Sequence, residues 1–375
     1  MLSDIYSSID QGQVALLALL DVSAAFDTVD HDILLERLSK SFGITESAHH
    51  WIRSFLTSRT QTVHVGASIS AAAPVRWGVP QGSVLGPLLY VLYTADVAGI
   101  VTSFGLGVHL YADDTQLHGS CLASDAEALS RLVLRSIEAV RLWMASNRLR
   151  LNPDKTQFIW FGTRQQLAKR NCDRLSSVSQ TLVSDTHVRN LGVILDSELL
   201  MGDHISQLCR SCFFQLRRLR AIRHSLTQKS ILMLAHSFIC NRIDYCNSVL
   251  YGASRFQLDR LQSILNAAAR IILRIPKFSH ISASIRDELH WLPVRFRPEF
   301  KICLFVRNCL VGTARLTSKN SALPFPQVPV VGAFDRRVEG TSLSLGRIQL
   351  GLGGAASLCL GRPSGIPYRR RFDKA

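Results

Sequence analysis

The alternation of apolar and polar residues marks out both strands and helices along the chain. Residues 14–20 are apolar without interruption over the length of a buried strand, and Asp21 stands just past their end. Val108, Leu110 and Ala112 alternate along one side of a second strand and Leu117 follows. Asp113-Asp114-Thr115-Gln116 between them reads as the polar tip of a hairpin. Successive residues of an extended strand point to opposite faces, so Asp113 and Asp114 can serve one site only if the chain turns there. Leu129, Leu132, Val133, Ile137, Val140 and Met144 have helical spacing, preceded by Ser124 and Glu127 at capping-box distance. Two later stripes are also helical: Ile205, Leu208, Cys212, Leu216, Leu219 and Ile222, then Leu258, Leu261, Leu265, Ala268 and Ile272. The second is expected to end at Pro276. Asp30 and Asp32 are placed to cap a helix starting near Ile33.

Residues 77–95 carry no charged side chain and approach the length of a membrane span. Pro80, Gln81 and Pro87 interrupt them, so a buried element, without membrane contact, is expected instead. Gly78 and Gly82 flank Pro80-Gln81 and permit a tight turn and a close backbone approach.

Composition adds three constraints. At 375 residues and 47% hydrophobic, the chain can bury the cores of two or three subdomains. Its net charge of +15 is uneven: residues 1–200 hold 16 Lys/Arg and 19 Asp/Glu, whereas residues 201–310 hold 17 and 6. An acidic first half followed by a basic, helical second half suits a metal site paired with a phosphate-gripping surface, with Arg217, Arg218, Arg220, Arg223, Arg260, Arg270 and Arg274 as candidate contacts. Nine cysteines, an odd number without a secretory signal, point to an intracellular, reducing compartment, nuclear or cytoplasmic. Cys209 and Cys212, with Cys240 and Cys246, have half-site zinc spacing but fall in apolar helical patterns and are expected to be packed core thiols.

Asp21, Asp113 and Asp114 are the residues with the most chemistry in them. Carboxylates gathered at strand ends can hold a pair of magnesium ions, and a two-metal site joins a hydroxyl to a phosphate by clamping the attacking and leaving oxygens.

Five ordered segments carry a resemblance. Asp21-Val22-Ser23-Ala24-Ala25-Phe26-Asp27, then Gly78-Val79-Pro80-Gln81-Gly82-Ser83-Val84-Leu85-Gly86-Pro87, then Tyr111-Ala112-Asp113-Asp114 resemble motifs A, B and C of a reverse transcriptase. Leu149-Arg150-Leu151-Asn152-Pro153-Asp154-Lys155-Thr156 and Leu191-Gly192-Val193 are similar to motifs D and E, and the wording is that of non-LTR, Jockey-like retrotransposon polymerases. The resemblance implies an α+β fold, a right-hand palm with a ferredoxin-like antiparallel sheet in residues 1–200, followed by an all-α basic thumb in residues 201–310. Residues 311–375 are expected to be a divergent, disordered or loosely packed tail. About twenty residues precede Asp21, so the family's fingers and endonuclease are expected to be missing.

By the same resemblance, Asp21, Asp113 and Asp114 bind two magnesium ions, with manganese as a substitute, and Val22 adds a backbone carbonyl. Phe26 excludes the ribose 2′-hydroxyl, Gln81, Gly82 and Tyr111 line the nucleotide pocket, and Lys155 is a candidate general acid for pyrophosphate. The implied partners are an RNA template, a DNA primer and deoxynucleotides. The alternative is a catalytically silent retroelement remnant that binds nucleic acid through residues 201–310.

Overall fold

A computed structural model describes residues 1–170 and 184–313, together with the backbone of 174–176 and 181–183. Of the tail expected over residues 311–375, all but 311–313 lies outside the described residues. The chain divides into two compact units, the first ending at Leu199 and the second starting at Leu200.

The first unit is α+β. Its centre is a four-stranded antiparallel sheet of β1 (Val14–Val22), β6 (Gly107–Tyr111), β7 (Asp114–Cys121) and β8 (Leu151–Phe161), in the order β6-β7-β1-β8. β1 reads as an unbroken apolar run because it is central and covered on both faces. Leu16, Ala18, Leu20 and Val22 face a core built by α2 (His31–Lys40), α4 (Leu85–Tyr93), α5 (Asp96–Ser103) and α6 (Ala126–Ser146). Its other face, with Ala15 and Leu17 buried, receives α1 (Leu2–Asp10), whose Ile5 and Ile9 are also buried. Full burial of each such leucine is worth about 1.5–3 kcal/mol, so covering both faces makes β1 the anchor of the sheet.

Between α2 and α4 lie α3 (Glu46–Leu56) and two small ladders: β2 (Arg59–Gln61) with β5 (Ala73–Val75), and β3 (His64–Val65) with β4 (Ser68–Ile69). Beyond β8 come α7 (Arg164–Ala168), the short pair β9 (Arg174–Ser176) and β10 (Thr181–Val183), and a hairpin of β11 (His187–Asn190) and β12 (Val193–Asp196). The apolar stretch 85–103 is long and apolar enough for a span. It folds as two helices, α4 and α5, with Leu89, Tyr90, Tyr93, Val97 and Val101 turned into the core.

The second unit is helical: α8 (Gly202–Ile222), α9 (Gln228–Ala235), α10 (Asn241–Asp244), α11 (Arg255–Leu273), α12 (Ser282–Asp287) and α13 (Arg297–Leu310). α11 packs on α8 and α9 through Leu261, Ile264, Leu265 and Ala268. Arg297 on α13 reaches both carboxylate oxygens of Asp244 at 2.8 Å.

Several local expectations are corrected. The hairpin tip is Ala112-Asp113, since Tyr111 pairs with Asp114 and Leu110 with Thr115, so Thr115 and Gln116 belong to β7. Asp21 lies inside β1, not beyond it, because pairing with β8 continues through Asp21 and Val22. α6 starts at Ala126 after a 3-10 turn, and Ser124 hydrogen-bonds Asp125 in place of forming a capping box. A capping box is made instead by Thr163 and Gln166. α11 stops at Leu273, where Arg274 adopts a left-handed conformation, three residues before Pro276. The stripe on α8 ends at Leu219, leaving Ile222 exposed. Cys209, Cys212 and Cys240 are core thiols, but Cys246 is exposed at a positive-φ turn after α10.

Candidate active site

Two strand ends and one bulge bring the acidic residues together. β1 and β7 run antiparallel with Leu19 opposite Gln116 and Leu20 opposite Thr115, so the next step of the ladder sets Asp21 beside Asp114. Opposed residues share a face. Leu19, Asp21, Asp114 and Gln116 therefore look away from the helical core, into an open cleft of about 400 Å³. Ala112, at φ +52°, makes the turn that lets Asp113 precede Asp114 at the strand start.

The carboxylates feel one another. Burial, then the charges of Asp113 and Asp21, pushes the Asp114 carboxyl above the usual range. Because its ionised form is disfavoured in the folded state, Asp114 lowers stability above its raised pKa and the penalty fades as pH falls through that value. Asp114→Asn is accordingly expected to raise the melting temperature at neutral pH by about 1–2 °C, with the gain vanishing in acid. A scan at two pH values checks this, and a variant that melts lower at neutral pH would contradict it.

Asp21 Oδ2 is buried with no hydrogen bond among the described residues, while Lys155 Nζ stands 3.3 Å away. The lysine arrives there through an irregularity in β8. Opposite the single residue Leu20, β8 spends residues 153–156, with Leu19 paired to Gln157 and Asp21 to Asn152. The Asn152 side chain accepts from the Asp154 amide at 3.1 Å and its carbonyl accepts from the Thr156 hydroxyl at 2.9 Å, closing the bulge. The Asn-Pro-Asp-Lys segment is thus an excursion within a strand.

A further part of the cleft lining comes from the β11–β12 hairpin. Its two-residue turn, Leu191-Gly192, has positive φ at both positions, 45° and 85°. Asn190 and Gln116, both buried, exchange amide hydrogen bonds at 2.7 and 3.4 Å and fix this hairpin to β7. Arg189 then lines the same cleft as Lys155.

Phe26, Gln81 and Gly82 are outside the residues that line the cleft, and the first two are linked through the turn after β1. The residue 24–28 turn follows β1 with Ala24 at φ +51°. The amides of Gly78 and Val79 donate to the carbonyls of Val29 and Phe26 at 2.8 Å each, and Gln81 Nε2 donates to Asp27 Oδ1 at 2.9 Å. His31 Nε2 lies 2.9 Å from the Gly78 carbonyl, which also accepts from Arg59. Tyr90 is buried on α4. Its ring centroid is 5.0 Å from that of Phe26, and burial, reinforced by the nearby Asp113 charge, pushes its hydroxyl pKa upward. Tyr111 is exposed at the end of β6, and Val22 is buried opposite Leu151.

The sequence reading missed Tyr90, Gln116, Arg189 and Asn190. Gln116 carried a signal, a polar residue two positions after Asp114 and hence on its face. Tyr90 carried none, being one aromatic in an apolar helix.

Hard carboxylate oxygens whose charges repel one another, one of them buried with only the Lys155 ammonium beside it, suit a divalent cation in their chemistry. As they stand, no three His, Cys, Asp or Glu side chains among the described residues lie at metal-binding spacing.

Residues 3–195 match the family described as reverse transcriptase (RNA-dependent DNA polymerase). The chain is 28% identical over 301 residues to the probable RNA-directed DNA polymerase from transposon BS of Drosophila melanogaster, covering 76% of this chain and 32% of that protein. It is 28% identical over 280 residues to the RNA-directed DNA polymerase from mobile element jockey of Drosophila funebris, covering 72% and 29%. The chain thus spans about a third of the length of these relatives. Among solved structures, telomerase from Candida albicans aligns over 85% of this chain and 53% of that one, with a TM-score of 0.38 and 12% identity, a likeness too weak to define a shared fold. The matched region holds Asp21 and the Asp113-Asp114 hairpin on one sheet, with the Gly78 loop bonded to the turn that follows Asp21, and the chain belongs to the reverse transcriptase family, with its similarity to the polymerases of jockey-like non-LTR retrotransposons.

Proposed function

We propose that residues 1–200 act as the palm, and residues 201–310 as the thumb, of an RNA-directed DNA polymerase that adds deoxynucleotides to a primer 3′-hydroxyl. The observation that carries this reading is the placement of Asp21 and Asp114 side by side in a cleft that also presents Lys155 and Arg189. Carboxylates and cations lining one cleft suit a triphosphate delivered with metal. The strand order β6-β7-β1-β8 supports the palm reading, since counting the sheet's strands along the chain gives 2-3-1-4, the arrangement of a split βαβ fold.

Asp21, Asp113 and Asp114 would hold two magnesium ions, which when bound neutralise charge on the attacking and leaving oxygens. The primer 3′-hydroxyl releases its proton to solvent as its oxygen attacks the α-phosphorus, the bond to the bridging oxygen breaks, and pyrophosphate leaves. Lys155, on its exposed bulge, can turn from Asp21 to the departing phosphates and supply a proton there. Phe26, braced by Tyr90, lies in the turn just after Asp21, where the sugar would rest. Gln81, tethered to Asp27, sets the pocket edge.

Primer extension on poly(rA)/oligo(dT) with magnesium and dTTP tests the proposal. Incorporation by the purified chain supports it, and no incorporation by a folded chain that still binds nucleic acid would favour the silent remnant. In the same assay, Phe26→Ala is expected to lower the preference for dTTP over UTP by about tenfold or more, the worth of about 1.4 kcal/mol. Unchanged discrimination would remove Phe26 as the sugar filter.

A further inference from the structure

The exposed face of α8 combines rings and guanidiniums in a way that phosphate binding alone does not call for. Ile205, Cys209, Cys212, Leu216 and Leu219 are buried along one side of this helix. Arg210, Phe213, Phe214, Arg217 and Arg220 fall on the other, within about 120° of its circumference at 3.6 residues per turn. Phe213 is 43% and Phe214 51% exposed, and the Arg218 guanidinium lies 5.8 Å from the Phe214 ring centre. Residues 204–243 contain seven Lys/Arg and no Asp/Glu, so no carboxylate on this stretch competes for those cations.

The other basic helix is differently employed. Arg260 on α11 donates to Ser206 at 3.1 Å and to Gln257 at 2.7 Å, and Arg270 donates to the Ser279 carbonyl at 3.2 Å. These arginines hold the unit together, whereas those of α8 point to solvent.

We infer that this face of α8 binds single-stranded RNA, with Arg210, Arg217 and Arg220 on phosphates and Phe213 and Phe214 stacked on unpaired bases. The inference deepens the polymerase reading and rests on it for the nature of the polymer. A duplex hides its base faces, so exposed rings set among arginines gain nothing from it beyond phosphate contact, while unpaired bases offer a π-face at every nucleotide. A protein partner would cover the rings but would need its own carboxylates to meet the cations.

The test follows fluorescence anisotropy of a labelled oligouridylate, and of a blunt RNA duplex of equal length, against the full chain without magnesium or nucleotide. Phe213→Leu/Phe214→Leu keeps apolar bulk at exposed positions and should melt as the unsubstituted chain does. It is expected to bind oligouridylate about tenfold or more weakly while holding its duplex affinity. Arg217→Gln/Arg220→Gln is expected to weaken both and to reduce the salt slope on oligouridylate by about 1.4, at about 0.7 per phosphate. Unchanged oligouridylate binding by the leucine variant, or equal losses on both ligands, overturns the inference. Since binding is read without nucleotide, a chain inert in primer extension can still pass, and an active one can fail.

Discussion

Asp113→Asn is expected to abolish magnesium-dependent primer extension, by at least about 10³-fold, while leaving salt-sensitive nucleic-acid binding in place. Asp113 sits at the tip of a two-residue turn, next in sequence to Asp114 and close enough to Tyr90 for its charge to act on that hydroxyl. Asparagine preserves shape and removes the charge. Loss of several kcal/mol of transition-state charge stabilisation, at 1.36 kcal/mol per decade, accounts for the predicted factor. Binding is expected to persist because the cations proposed to carry it lie elsewhere: residues 201–310 hold 17 Lys/Arg against 6 Asp/Glu. Measuring extension and anisotropy on one preparation separates the two, and parallel loss of both would contradict this division of labour.

Gly78→Ala is expected to lower the melting temperature by about 5–10 °C and to remove most extension activity. A Cβ at Gly78 would stand 2.9 Å from Asp27 Cα, the Asp27 carbonyl oxygen and the Phe26 carbonyl oxygen, all of them backbone atoms that cannot swing aside. The residue also has φ +81°, which an L side chain adopts at a cost of about 1–2 kcal/mol. Displacing the turn strains the hydrogen bonds from Gly78 to Val29 and from Val79 to Phe26, and so moves Phe26. A total of about 2–3 kcal/mol converts to the predicted shift at about 2–4 °C per kcal/mol. Gly82→Ala is the control: φ is +77°, but nothing lies within 4 Å of its Cβ among the described residues, so only the conformational cost of about 1–2 kcal/mol remains. Equal melting temperatures for the two variants would show that the close approach at Gly78 is not a constraint.

These two glycines mark where sequence reading stops. Both were legible as turn residues beside Pro80-Gln81. That Gly78 presses on the Asp27 backbone while Gly82 faces open space depends on contacts between residues about fifty positions apart, which local spacing does not encode. The same holds for Tyr90, an ordinary helix aromatic until folding sets it against Phe26, and for the Gln116–Asn190 pair, 74 residues apart. The misplaced hairpin tip has a different cause, since polarity marked Thr115 and Gln116 as loop, whereas their ladder partners Leu20 and Leu19 hold them in a strand.

The sequence by itself determined the buried central strand, the α6 and α8 helices, the acidic and basic halves and the order of five motifs. These follow from periodicity, charge and residue identity, which act over a few neighbouring positions. Only the tertiary structure decided that Asp21 and Asp114 share a face, that a bulge in β8 carries Lys155 onto Asp21, and that α8 keeps its arginines and phenylalanines for solvent while α11 spends its own on packing. The physical reason is that strand register, bulge placement and the burial of one helix face are settled by long-range packing, which chooses among alternatives that local sequence leaves nearly equal in energy.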